Sequence, residues 1–139
     1  MKISDNVELK WLGHSGFRIN NSRVIYIDPY NIKDGEKADL ILLTHSHYDH
    51  CSVADLNKII KEGTKILLPA DCQSKITRFK VPIKIEIVEP GQELDLGEIK
   101  ISTVPAYNLD KPFHSKEEGW VGYLIKMNYV FIYHAGDTD

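Results

Sequence analysis

Short apolar runs separated by polar turn residues divide this chain into elements. Val7 to Leu12, Phe17 to Asn20 and Arg23 to Asp28 predict three strands joined through Gly13-His14-Ser15-Gly16 and Asn21-Ser22, an opening β-meander. Leu40-Ile41-Leu42-Leu43 is different: large aliphatics without alternation, the pattern of a strand covered on both faces inside an α/β sheet. A helix is predicted over Val53 to Glu62. Ser52 is its N-cap and Asp55 a weak capping-box partner; Val53, Leu56, Ile59 and Ile60 share one side, and Gly63 is the stop. Strand Lys65 to Leu68, a short helix near Asp71 to Phe79 and strand Ile83 to Val88 continue the alternation. After the turn Pro90-Gly91-Gln92, Glu93 to Leu96 and Glu98 to Val104 predict a hairpin about Gly97. Trp120 to Met127 and Tyr129 to Tyr133 predict a last pair around Asn128. Between the two pairs, Asn108 to Gly119 reads as a long polar loop of the kind that carries function.

At 139 residues, 42% of them hydrophobic, the chain is long enough for one domain with a real core. Its net charge is −3 and its lysines are dispersed among acids, so no basic stripe exists for a nucleic acid. The opening residues lack an apolar signal core and no aliphatic run is long enough to cross a bilayer. A cytoplasmic protein is expected. Cys51 and Cys72 have no C-x-x-C spacing and are expected to be reduced, Cys51 as a small, partly buried thiol.

Candidate chemistry concentrates in His45-Ser46-His47-Tyr48-Asp49-His50, directly after the aliphatic run. Imidazoles and a carboxylate are the ligand set of a borderline metal such as zinc. If Thr44 to Asp49 stays extended, His45, His47 and Asp49 share a face while His50 turns to a neighbouring point, which suits two adjacent metal positions. His50 also lies near a predicted helix N-terminus, whose partial positive charge keeps the ring neutral and able to coordinate. Chance loop histidines are the plainer alternative.

Three strands end in ionisable groups: Asp28, His45, and the run His134-Ala135-Gly136-Asp137. Ligands collect outside the carboxyl ends of strands in α/β sheets, so these segments deliver metal-binding groups to one edge of the fold. Asp137 is placed to bridge two cations or else to shape a turn. Asp28, before Pro29, reads either as a buried carboxylate orienting a ligand histidine or as a loop former. His114 is the loop histidine able to complete a metal site.

The hexad matches the H-x-H-x-D-H signature of the metallo-β-lactamase-fold hydrolases, and the resemblance extends over nearly the whole chain. Leu12-Gly13-His14-Ser15-Gly16-Phe17, Asp28-Pro29 and Tyr133-His134-Ala135-Gly136-Asp137-Thr138 resemble the branch containing ascorbate-6-phosphate lactonase and its metal-dependent relatives. That resemblance implies an α/β (α+β) fold, an αββα sandwich with a dinuclear site between its sheets. His45 and His47 would hold one metal, Asp49 and His50 the other, and Asp137 would bridge them. The family's third histidine for the first metal is replaced here by Ala106-Tyr107-Asn108, so His114 is expected to substitute. Relatives continue beyond the G-D-T segment. Residues 1–139 are therefore expected to form the first two-thirds of such a domain, with a homo-oligomer or a partner chain covering the rest.

The function expected from this reading is metal-dependent hydrolysis of a small ester, lactone or phosphoester by metal-bound hydroxide, with two divalent ions, zinc first and manganese, iron or nickel as alternatives. Asp49 would orient the attacking water as the catalytic carboxylate, and His14 or His134 at the pocket edge would bind or protonate the leaving oxygen. The competing reading is a truncated metal-binding or assembly module without turnover. A serine or cysteine hydrolase has no support, because no G-x-S-x-G occurs.

Overall fold

The structure is a computed structural model describing residues 2–4, 7–13, 16–21, 23–29, 36–44, 53–70, 81–97, 99–105, 121–127 and 130–134. The meander forms as predicted, from β2 (Val7–Gly13), β3 (Gly16–Asn20) and β4 (Val24–Ile27), and is preceded by a short β1 (Lys2–Ser4) paired with β2. Next come β5 (Leu40–Leu42), helix α1 (Val53–Ile59), β6 (Lys65–Leu68) and β7 (Lys84–Ile87). Then follow β8 (Glu93–Asp95), β9 (Ile99–Pro105), β10 (Val121–Met127) and β11 (Val130–His134).

These strands make two sheets. One has seven strands in the order β1-β2-β3-β4-β5-β6-β7, and the other four in the order β11-β10-β9-β8. Within the larger sheet the pairings change from antiparallel to parallel at β4, so β4, β5, β6 and β7 all run the same way. The parallel strands sit where the aliphatic runs are continuous. In β5, Leu40 and Leu42 join the core between the sheets with Ile25, Ile27, Leu67, Ile101, Tyr123 and Ile125. Ile41 and Leu43 point the other way and pack with Ile66, Leu68, Leu56 and Ile59, the last two from α1. Burial on both faces is what an unbroken run of aliphatics requires.

Helix α1 ends at Ile59 rather than at the expected Glu62. The reason is outside competition for its last polar groups. The Ile59 carbonyl accepts the Ala38 N–H at 2.6 Å, and the Lys61 N–H donates to the Thr64 hydroxyl at 2.9 Å. Gly63, with φ +88°, then reverses the chain into β6. Among the described residues the layers are helix, sheet and sheet, with no helix on the outer face of the four-stranded sheet. The helix expected over Asp71 to Phe79, and Cys51, Cys72 and Asn128, lie outside the described residues.

The two sheets are tied together at one end. Tyr123 of β10 is fully buried and its hydroxyl donates to the Leu43 carbonyl at 2.7 Å, with the Leu67 carbonyl at 3.2 Å. Two positions earlier, the Val121 N–H donates to the Thr44 carbonyl at 3.0 Å. Both ties reach the carboxyl end of β5, so the start of β10 is fixed against the point from which the histidine hexad departs.

Candidate metal centre

β4 and β5 are parallel neighbours, so their carboxyl ends lie side by side, and Asp28 and Thr44 meet there. Both are fully buried. The Thr44 N–H donates to Asp28 Oδ1 at 2.9 Å and the Thr44 hydroxyl donates to Oδ2 at 2.7 Å, so one carboxylate takes both donors of one residue. Asp28 is itself turned into this position by a left-handed backbone, φ +46°, and by its own N–H donating to the Leu42 carbonyl at 3.0 Å. Aspartate tolerates that conformation better than most side chains. Asp28 is thus a buried carboxylate organising the end of a strand, not a solvated loop residue.

His134 closes β11, paired across the ladder with Tyr123. It is nearly buried and its Nε2 lies 3.9 Å from Asp28 Oδ2, longer than a hydrogen bond but close enough for electrostatic contact. Its ring stands edge-on to Phe17 at 5.8 Å. A cleft of about 110 Å³ opens beside it, walled by Leu9, Phe17, Ile27, Ile132 and Tyr133.

These contacts define one rim. It includes the ends of β4, β5 and β11, the start of β10, and Pro105 at the end of β9, which is paired with Val121. It also includes the β2–β3 turn, because Gly13 pairs with Gly16 and the next residue, Phe17, touches His134. His14, His45, His47, Asp49, His50, His114 and Asp137 all lie outside the described residues. The described residues that precede their four segments, namely Gly13, Thr44, Pro105 and His134, are nonetheless all at this rim. Among the described residues no group of three or more potential ligands converges on a metal position.

A family model for the beta-lactamase superfamily domain matches residues 8–139. The chain belongs to the beta-lactamase superfamily. Among its relatives in that superfamily are metal-dependent hydrolases of Thermococcus kodakarensis, 35% identical, and Pyrococcus furiosus, 33% identical; each match covers 95% of this chain and 62% of the relative. A crystal structure from Parabacteroides distasonis, assigned to the metal-dependent hydrolases, superposes with a TM-score of 0.82 at 25% identity, covering 95% of this chain and 61% of the other. The chain therefore spans about three-fifths of the length of these superfamily members.

The superfamily fold accounts for the two-sheet architecture expected from the hexad. Two polar residues of the rim carried no sequence signal as site residues. Thr44 and Tyr123 lack metal chemistry of their own, and their contacts come from positions 16 and 80 residues away in sequence. The available clue for Thr44 was its place, directly between the aliphatic run and the hexad.

Proposed function

We propose that this chain is the metal-binding part of a hydrolase acting on a small ester, lactone or phosphoester. The observation that carries the reading is the single rim: the strand ends that precede the four segments bearing the candidate ligands are gathered by the Asp28–Thr44 and Val121–Thr44 hydrogen bonds, the pairing of Pro105 with Val121, and the approach of His134 to Asp28 and Phe17. The donor set suits divalent ions, zinc first, with manganese, iron or nickel as alternatives. His45 and His47 would hold one ion, Asp49 and His50 a second, with Asp137 between them and His114 completing the set. When bound, the ions would supply Lewis acidity and lower the pKa of water far below its bulk value, to about 7.

The protein's own groups do the rest. Asp49 orients the attacking water and accepts its proton at a carboxylate oxygen, and His14 or His134 meets the leaving oxygen at the pocket edge. The apolar cleft beside His134 offers room for a small hydrocarbon portion of the substrate. Dispersed lysines and a net charge of −3 favour a small molecule over a nucleic acid. Among the described residues no helix is long and apolar enough to cross a membrane. A cytoplasmic homo-oligomer is part of the proposed reading and is carried over from the sequence alone.

Elemental analysis together with hydrolysis of model esters and lactones tests the reading. Close to two ions per chain with turnover is expected, and His47→Ala should abolish both. One weakly held ion without turnover would instead make the chain a metal-binding module, and turnover by metal-free His47→Ala would refute the mechanism.

A further inference from the structure

Thr44 is held more completely than its position at a strand end requires. Its N–H and its hydroxyl both go to Asp28, at 2.9 and 2.7 Å, and its carbonyl accepts the Val121 N–H at 3.0 Å. The anchors come from the residue that follows β4 and from β10, so from both sheets, and Asp28 is locked in turn by its left-handed backbone and its bond to Leu42. Three polar groups on one fully buried residue are thus fixed from two directions. The next residue in the sequence is His45, the first of the hexad.

We propose that Thr44 is a positioning residue: the Asp28–Thr44–Val121 clamp sets the exit direction of the chain at His45 and thereby the metal affinity of the hexad. The proposal rests on the metal reading above. Coordination tolerates small errors in ligand placement, and residues that orient ligands from behind change metal affinity by about 10–100-fold when altered. Thr44→Val is the direct probe because it keeps the branched shape and removes the hydroxyl that reaches Asp28 Oδ2.

A matched control exists at the opposite end of the sheet. Thr64 is also fully buried; its hydroxyl donates to the Ala38 carbonyl at 2.7 Å and accepts the Lys61 N–H at 2.9 Å, just before β6 begins. Thr64→Val therefore removes a comparable buried hydroxyl at the opposite end of the parallel strands from Thr44. A purely structural role for Thr44 would make the two variants equivalent.

Cobalt(II) titration, followed by visible absorption and chelator competition, separates these outcomes, with thermal unfolding of the metal-free proteins as a measure of stability. Thr44→Val should bind cobalt at least about tenfold more weakly, Thr44→Ser within about twofold of the parent, and Thr64→Val like the parent despite a similar loss of stability. Cobalt binding by Thr44→Val within about twofold of the parent overturns the proposal, as does equal weakening in Thr64→Val. Should Thr44→Val not fold, Asp28→Asn replaces one carboxylate oxygen with an amide donor facing Thr44, and unchanged cobalt affinity there is equally fatal. If the parent takes up no cobalt, or His47→Ala takes it up unchanged, the metal reading of the hexad falls and this proposal with it.

Discussion

Asp39 is pulled in opposite directions by its surroundings. Burial favours its neutral form, but the Lys61 ammonium at 2.7 Å, the Val24 N–H at 2.8 Å and the nearby Arg23 charge outweigh it, holding the carboxyl below its ordinary 3.8. A carboxylate whose pKa is lowered by folding adds stability above its unfolded value and loses that contribution as pH falls through the folded one. Lys61 is 47% exposed and Asp39 33%, so solvent and salt screen the pair and the effect is modest. Asp39→Asn is therefore expected to be less stable than the parent near neutral pH, with the gap closing as pH drops below 3.8. Urea unfolding at a series of acidic pH values measures that gap; a difference independent of pH would show that ionisation of Asp39 contributes nothing.

At the level of elements, the two flanks of the parallel region differ in what a lost side chain should cost. Leu42 of β5 is fully buried between the sheets, whereas Ile85 of the edge strand β7 is 40% exposed. Leu42→Ala should cost about 2–5 kcal/mol and Ile85→Ala below about 1 kcal/mol, read from chemical denaturation midpoints. Equal costs would mean that β5 is not the centre of the core. The same contrast explains what the sequence made legible. β6 was found with its bounds intact, and β5 to within one residue, because strands buried on both faces are spelled by their own side chains. β1 has no signature in the sequence because its three residues owe their conformation to β2 rather than to any pattern of their own. α1 is shorter than its apolar periodicity predicts because its end is set by Ala38 and Thr64, contacts from other segments. In the site, Asp28 and His134 were legible as polar residues following aliphatic strands. The carboxylate's partner Thr44 was not, because only the parallel pairing of β4 with β5 brings the two together.

For the whole molecule, the outer edge of the four-stranded sheet raises the question of association. The edge strand β8, Glu93-Leu94-Asp95, and the edge strand β7, Lys84-Ile85-Glu86-Ile87, carry charged residues of the kind that discourage pairing with another chain. β11, Val130-Phe131-Ile132-Tyr133-His134, has no acid or lysine, and among the described residues no strand pairs with its second edge. Phe131 and Tyr133 stand 62% and 56% exposed on its outer face, and Lys126 covers the Phe131 ring from one side at 5.4 Å. Among the described residues, an edge strand that is apolar and carries no acid or lysine of its own favours joining a second copy over remaining single. The chain should therefore scatter light as a homo-oligomer at micromolar concentration. Phe131→Lys and Tyr133→Lys should each lower the average mass by placing a charge on that edge without touching the core between the sheets. A monodisperse monomer in the parent protein, or an oligomer indifferent to both lysines, would show that β11 is not the surface through which the copies meet.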